Sequence, residues 1–576
     1  MNDTGNALPS FVGGGADVKR VIELPHWQQG EVPDYTLRLR RPGGTFTLRP
    51  EQNAALWQLE RWGGLIAEIT MGGGKGLVCM AAPYLLRLFG HKVERPLLVV
   101  PANLEGTYWR ERAKFEKHFW LCGKLRVVSY ETLSIRQKYL DEYQPDLILF
   151  DEADKLRNPK SARGRRLFTY LHEHSECRVA FLSGTFTRRS IKEYAHLVGY
   201  ALRQYSFVPQ RKSDIASWSE VMDDAAIPDA MQLSQFRSIL PVGYQQSTDA
   251  ENKRSVQRWY RGRRSTAPGS VVSHGEDGVG ASLLFEEITV QTPAVVKDAI
   301  MSLEATWTKP DGDEQESALA VWNTTRQLSV GMYYLWDWPI DPRTGAYIKD
   351  KEWLEKRSRW HRAIRKTLEL ERKGLDSPMQ IARFVDRPGG AEELPDVAYA
   401  LTDWRTVSHR DPPPTKVVWL HPFLLDAAIE WILARMQEGS NGIVWFRHRA
   451  VGVALRARGL PVFMDSGQDF DMSEKFCAAS IAQHGRGKNL QETHSNNLLL
   501  EIPGTHDEAE QLFARTHRPG QQESEVVVAY FAHTEPIKYL LSSLWSQAIY
   551  VEATTGKATK TRRGTWVNPS WPMKEE

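Results

Sequence analysis

Between residues 65 and 201 the chain alternates short, mainly apolar runs with longer amphipathic ones. The runs at 65–69, 97–100, 125–128, 147–150 and 179–182 predict strands, and the stretches at 77–88 and 104–115 predict helices between them. Strands that are apolar on both faces and separated by helices belong to a parallel sheet covered on each side. The same rhythm returns with runs at 443–446, 461–463, 478–482, 497–502 and 526–531, which predict a second such sheet. From 206 to 413 the rhythm is lost. That segment is rich in Trp, Arg and turn signals such as Pro268-Gly269 and Pro388-Gly-Gly390, so it predicts a largely helical insert. It closes on Asp411-Pro-Pro-Pro414, a stiff linker.

The fold class expected is therefore α/β: two parallel-sheet lobes with a mostly helical region between them. The divisions are a Gly- and Pro-rich extension with little core at 1–45, a first lobe at 46–205, the insert at 206–413, a second lobe at 414–548, and a basic, mobile tail at 549–576. A chain of 576 residues is too long for one core, which agrees. Lys and Arg total 74 against 71 Asp and Glu, a net charge of +3, so a surface for a polyanion has to be local. Cys79, Cys122, Cys177 and Cys477 stand far apart with no Cys-x-x-Cys, which speaks against a disulfide framework or a cysteine zinc site. No signal-peptide pattern opens the chain, and no apolar run reaches the roughly 18 residues of a membrane span. A cytoplasmic protein without a membrane partner is expected, nucleoid-associated or, if viral, in the host cytoplasm.

Candidate chemistry begins where the first strand runs into Thr70-Met-Gly-Gly-Gly-Lys-Gly76 and then a helix. A glycine turn between strand and helix lets backbone N–H groups face a phosphate, with Lys75 as a mobile point charge. Ile69 and Gly76 depart from the full Gly-x-x-x-x-Gly-Lys-Ser/Thr pattern, and a turn serving only sheet geometry is the competing reading. Strand 147–150 empties into Asp151-Glu-Ala-Asp154. Carboxylates at that end of a strand can hold Mg²⁺ and orient a water, or simply start the next helix. Ser183-Gly-Thr185 occupies the next strand end, where turn chemistry is an equal explanation. In the second block Gln511, Arg515 and Arg518 are spaced i, i+4, i+7 along a predicted helix, a face suited to a γ-phosphate or merely to solvent.

Taken in order, these segments resemble superfamily 2 helicases, and most closely the Swi/Snf-type translocases of double-stranded DNA. Leu48-Arg-Pro-Glu-Gln52 is similar to the adenine-reading element, Met71-Gly-Gly-Gly-Lys75 to motif I, Asp151 to Asn158 to motif II, and Ser183-Gly-Thr185 to motif III. Gly485-Arg-Gly-Lys-Asn-Leu490 is similar to motif V, and Gln511 to Gln521, with His517, to motif VI. The resemblance implies two RecA-like lobes sharing one ATP with Mg²⁺. It makes Lys75, Asp151, Glu152, Arg515 and Arg518 catalytic, with Asp151 holding Mg²⁺ partly through water. Gln52, Met71, Gly72, Gly73, Gly74, Lys75, Gly76 and Gln511 become the nucleotide contacts, and Ser183, Thr185 and Asn489 couple them to nucleic acid. Val127 to Leu133, with Ser129 and Tyr130, is similar to a strand-contacting segment. Gly76 replaces a hydroxyl residue and Asp154 a histidine. The unadorned middle region fits a compact bacterial or phage member.

DNA is the implied partner, duplex ahead of single strand. The phosphate-contacting cluster chosen is Arg258, Arg261, Arg263 and Arg264 with Arg254, around Trp259 and Tyr260. A second cluster, Arg157, Lys160, Arg163, Arg165 and Arg166, ranks below it. The stripe Trp353, Trp360, Ile364, Leu368 reads as a core face. Two alternatives stay open: a nucleotide-binding scaffold without turnover, favoured by Gly76, and an RNA-directed helicase, favoured by Asp154.

Overall fold

The computed structural model describes residues 14–573 apart from 71, 137, 224–225, 274–278, 370–374, 376–377, 466–473 and 486–488. Its first sheet contains β1 (Gly64–Glu68), β2 (Pro96–Val100), β3 (Arg126–Ser129), β4 (Leu147–Phe150), β5 (Arg178–Ser183) and β6 (Ser270–Val272). Their spatial order is β3-β2-β4-β5-β1-β6, and every neighbouring pair is parallel. Successive side chains of a strand point to opposite faces. Leu65 and Ala67 accordingly enter one core and Ile66 the other, with helices covering both.

Beyond it lie β7 (Ser282–Ile288), β8 (Met332–Trp336), β9 (Thr415–Trp419), β10 (Gly442–Phe446), β11 (Val462–Phe463), β12 (Phe476–Ser480), β13 (Asn496–Leu499), β14 (Glu525–Phe531) and β15 (Thr565–Val567). Seven of these form the second parallel sheet, ordered β11-β12-β10-β13-β14-β7-β15. Strands β8 and β9 pair antiparallel at its side. Between them the helices Lys351–Glu369, Pro378–Val385 and Pro395–Arg405 close over their own core of Trp360, Ile364, Ile381, Val397 and Leu401. Trp353 is buried as well, so the apolar stripe of the first helix is a core face. Two parallel-sheet lobes and a largely helical insert are thus the architecture.

Three divisions need correction. The extension at 1–45 does have core: helix Gly14–Glu23 buries Val18 and Val21 in the first lobe, and Arg20 donates to the carbonyls of Ser206 and Val208. The segment 206–413 is not wholly an insert, because β6 completes the first sheet and β7 sits inside the second. The tail beyond 548 is built in: helix Glu535–Thr555 runs through the boundary, and β15 pairs with β7. The strands β6, β7 and β15 are held by pairing, and the helix Gly14–Glu23 by packing, against partners distant in sequence, which local periodicity does not register.

Register levels the strand ends that carry the motifs. Phe150 pairs with Phe181 and Glu68 with Ser183, so β1, β4 and β5 finish along one edge. In parallel sheets that carboxyl-end edge is where ligands bind.

Candidate functional site

After β1 the chain turns through three glycines, required by backbone conformation, by close packing or by both. Gly72 and Gly74 have φ of 79° and 77°, the left-handed region that disfavours side chains. A Cβ on Gly73 would stand 2.4 Å from the Ile69 side chain, and one on Gly74 would stand 2.0 Å from the Gln52 amide nitrogen. Helix Lys75–Leu88 starts directly after, with no side chain capping its N-terminus. Its first N–H groups therefore face the loop's concavity. Lys75 is buried, its Nζ 3.4 Å from the Ile69 carbonyl and 3.7 Å from Glu152 Oε1. Met71 lies outside the described residues.

Gln52 sits on helix Pro50–Trp62 and is committed to this loop. Its Nε2 donates to the carbonyls of Gly73 and Gly74, each at 3.2 Å, and its Oε1 accepts from the Arg49 N–H. Arg49 donates to the Gly72 carbonyl at 2.6 Å.

Asp151 emerges from β4 beside Lys75. Its Oδ1 accepts the Glu152 N–H at 3.0 Å and its Oδ2 accepts the Tyr108 hydroxyl. Burial, with the neighbouring Glu152 charge, pushes its carboxyl up to about 6, while Lys75 and Tyr108 pull the other way. A carboxylate in that state gains from a nearby cation. Glu152 itself has φ of 52°, strain of a kind that gathers at functional sites. Burial likewise drives the Tyr108 phenol well above its ordinary range, so it remains a neutral donor. Tyr108 and its neighbour Glu111 carry no sequence signal beyond membership of an amphipathic helix.

From the second lobe, Arg518 reaches onto this loop. Its Nη2 lies 3.3 Å from where a Cβ of Gly72 would stand, and its Nη1 is bonded to Asn489 Oδ1. Burial and the nearby Arg49 lower its pKa, and Glu111 opposes them. Arg515 is buried, its Nε donating to the Gln511 carbonyl. The helix expected to carry all three residues ends at Phe513, so Arg515 and Arg518 project from the turn that follows rather than from one helical face. Gln511 lines a cavity of about 40 Å³ with Thr70, Thr185 and Asp507, room for no more than a few waters. Residues 486–488 of the motif V segment lie outside the described residues.

The lobes are tied together at the segments that follow β4 and β5. Arg157 donates to the carbonyls of Thr185 and Phe186, and Ser183 Oγ donates to the Thr185 carbonyl. Arg157 also pairs with Asp507 of the second lobe at 2.6 Å, joined by Arg188 at 2.7 Å. Lys557 Nζ donates to the Gly184 carbonyl from the same side. Sequence reasoning missed Asp507, which after the capping Thr505 looks like an ordinary helix-start acid.

Several expected nucleic-acid contacts are internal. Arg264 is buried in an ion pair with Glu68 at 2.5 Å and donates to the Tyr194 hydroxyl. Arg263 donates to the carbonyls of Val21 and Leu24. Trp259 packs on Trp218 and Phe236. Tyr130 is fully buried with its hydroxyl on the Asp151 carbonyl, and Ser129 caps the helix Tyr130–Ile135. These positions belong to core, because the strand ends and helix they occupy face inward. Arg166 in the lesser cluster donates to the carbonyls of Leu133 and Ser134. Arg258 and Arg261 remain at the surface. With Arg254 and Arg562 they line a groove of about 300 Å³ between helix Asp249–Thr266 and helix Glu535–Thr555.

Among the described residues no helix is long and apolar enough to cross a membrane, and no group of three or more His, Cys, Asp or Glu residues could hold a metal by itself. No family model matches this chain, and no curated protein sequence does. Among solved structures, a Sulfolobus solfataricus SWI2/SNF2 ATPase core in complex with double-stranded DNA aligns over 89% of this chain and 93% of its own, with 13% identity and a TM-score of 0.28.

Proposed function

We propose that this chain is a DNA-stimulated ATPase of the superfamily 2 type, a translocase or helicase that hydrolyses ATP between its two lobes. The observation that carries this reading is the approach of Arg518 to Gly72: a guanidinium of one lobe lies against the phosphate loop of the other. A tight glycine loop ahead of an uncapped helix N-terminus, a buried lysine and a carboxylate with raised pKa are a donor set that fits Mg²⁺ and ATP.

When bound, ATP would supply the phosphoanhydride bond whose hydrolysis drives the cycle, and Mg²⁺ would neutralise charge on its phosphates. Lys75, with the N–H groups of Gly74 to Gly76 at the start of its helix, grips the phosphates. Asp151 would hold the cation, since one carboxylate with phosphate oxygens suffices for Mg²⁺. Glu152 orients the attacking water and takes its proton. Arg518 and Arg515 set positive charge against the charge that develops on the γ-phosphate. Gln52 fixes the loop that does the gripping. Ser183, Thr185 and Asn489 link this site to the lobe contact, and closure then follows from contacts that only the closed state makes.

Arg254, Arg258 and Arg261 support a local track for a phosphate backbone, bound without base reading, while Arg562 of the same groove is paired with Glu552 at 3.6 Å. Duplex DNA is the favoured track, and single-stranded DNA the next. The test is ATP hydrolysis by the purified chain with duplex DNA, single-stranded DNA or RNA. Stimulation by duplex that Lys75→Ala abolishes supports the reading, and stimulation by RNA alone reassigns the track. Gly76 favours one second reading, nucleotide binding without turnover. Binding of ATP with no hydrolysis under any of the three nucleic acids selects it.

A further inference from the structure

We propose that Tyr108 is a positioning residue for the cation, its phenol doing the work of the hydroxyl that the phosphate loop lacks at Gly76. The inference rests on the reading of this site as a Mg²⁺–ATP site. In a phosphate loop of this kind, the residue after the lysine ordinarily brings a side-chain hydroxyl to Mg²⁺. Here that residue is Gly76. A Cβ built on Gly76 would stand 3.3 Å from Glu111 Oε2, 3.5 Å from Tyr108 Cε1 and 3.6 Å from the Tyr108 hydroxyl oxygen, so the phenol lies in contact with the place where the usual hydroxyl side chain would start. From that place the Tyr108 hydroxyl donates to Asp151 Oδ2 while the Glu152 N–H holds Oδ1. Tyr108 is buried, on helix Glu105–Phe115, and makes this contact from a different element.

The two features complement each other. Position 76 lacks a hydroxyl, and the adjacent ring supplies one to the carboxylate. Groups that orient a metal's ligand by hydrogen bonding typically change metal affinity 10–100-fold when removed. Tyr108 acts through Asp151 in this way.

The test uses the full chain and a fluorescent, non-hydrolysable ATP analogue, with MgCl₂ titrated at fixed analogue. Tyr108→Phe should raise the half-saturating Mg²⁺ concentration about tenfold while leaving metal-free binding of the analogue unchanged. Adding Gly76→Ser to Tyr108→Phe should bring the Mg²⁺ requirement back to within about threefold of wild type, a rescue that a merely structural phenol would not permit. An unchanged Mg²⁺ requirement in Tyr108→Phe overturns the proposal. So does a lowered one, which would make the phenol an obstruction. Failure of the wild-type chain to bind the analogue at any Mg²⁺ concentration defeats the nucleotide-site reading itself, a result distinct from the other two.

Discussion

Asp507 of the second lobe and Arg157 of the first meet at 2.6 Å, with the Asp507 side chain only 2% exposed. Arg157 also holds the Thr185 carbonyl, so one guanidinium joins the end of β5 to the facing lobe.

Asp507→Asn keeps the shape of this contact and removes its charge, leaving Arg157 and Arg188 beside each other. Breaking a buried pair from one side costs about 3 kcal/mol. Small-angle scattering should report a larger radius of gyration, and protease should cut sooner between the lobes. An unchanged radius would count against the contact as a tie. Acid should act in the same direction. Burial alone would push the Asp507 carboxyl up, yet Arg157 and Arg188 hold it below its ordinary 3.8. A lowered folded pKa contributes stability that is complete above pH 3.8 and is lost as pH falls through the lower folded value. The lobe contact should be insensitive to pH between about 8 and 5 and loosen only in stronger acid.

Lys75→Ala removes the one lysine between the loop and the acidic pair. Affinity for an ATP analogue should fall at least about tenfold, equivalent to about 1.4 kcal/mol. Stimulated hydrolysis should vanish. Equilibrium titration and phosphate release measure the two separately, and a normal rate in this variant ends the motor reading.

Arg518→Ala should separate binding from turnover. The analogue should bind within about threefold of wild type, while single-turnover hydrolysis drops about 1,000-fold, the scale on which a guanidinium at the γ-phosphate acts. Equal losses in both would instead make Arg518 a simple binding group.

The arginines of helix Asp249–Thr266 should divide by burial. Replacing Arg258 and Arg261 with alanine should lower the log–log salt slope of DNA binding by about 2 and leave thermal stability unchanged. Arg264→Met should do the reverse, destabilising the first lobe by about 3 kcal/mol through an unpaired, buried Glu68. A salt slope that is the same in the Arg258/Arg261 variant removes the groove from the DNA path.

Much of this was readable beforehand where periodicity was strong. Strand β4 begins and ends where the apolar run 147–150 placed it, and the runs at 65–69, 97–100 and 526–531 lie within about one residue of β1, β2 and β14. The glycine loop and the Asp151 pair were visible because their chemistry is compressed into consecutive residues. Arg263 and Arg264 were misjudged for the opposite reason. A run of arginines looks the same whether it faces water or reaches back to carbonyls and a carboxylate distant in sequence.

The order of residues by itself determined the two parallel sheets, the strand ends that bear Lys75 and Asp151, and the helical character of the insert, because each depends on neighbours within one turn or one strand. Tertiary structure alone decided that β6, β7 and β15 complete those sheets, that Tyr108 stands beside Gly76, and that Asp507 and Arg518 cross to the facing lobe. Those relationships join residues from about 30 to 450 positions apart, and only the folded packing of the two lobes brings them within bonding distance.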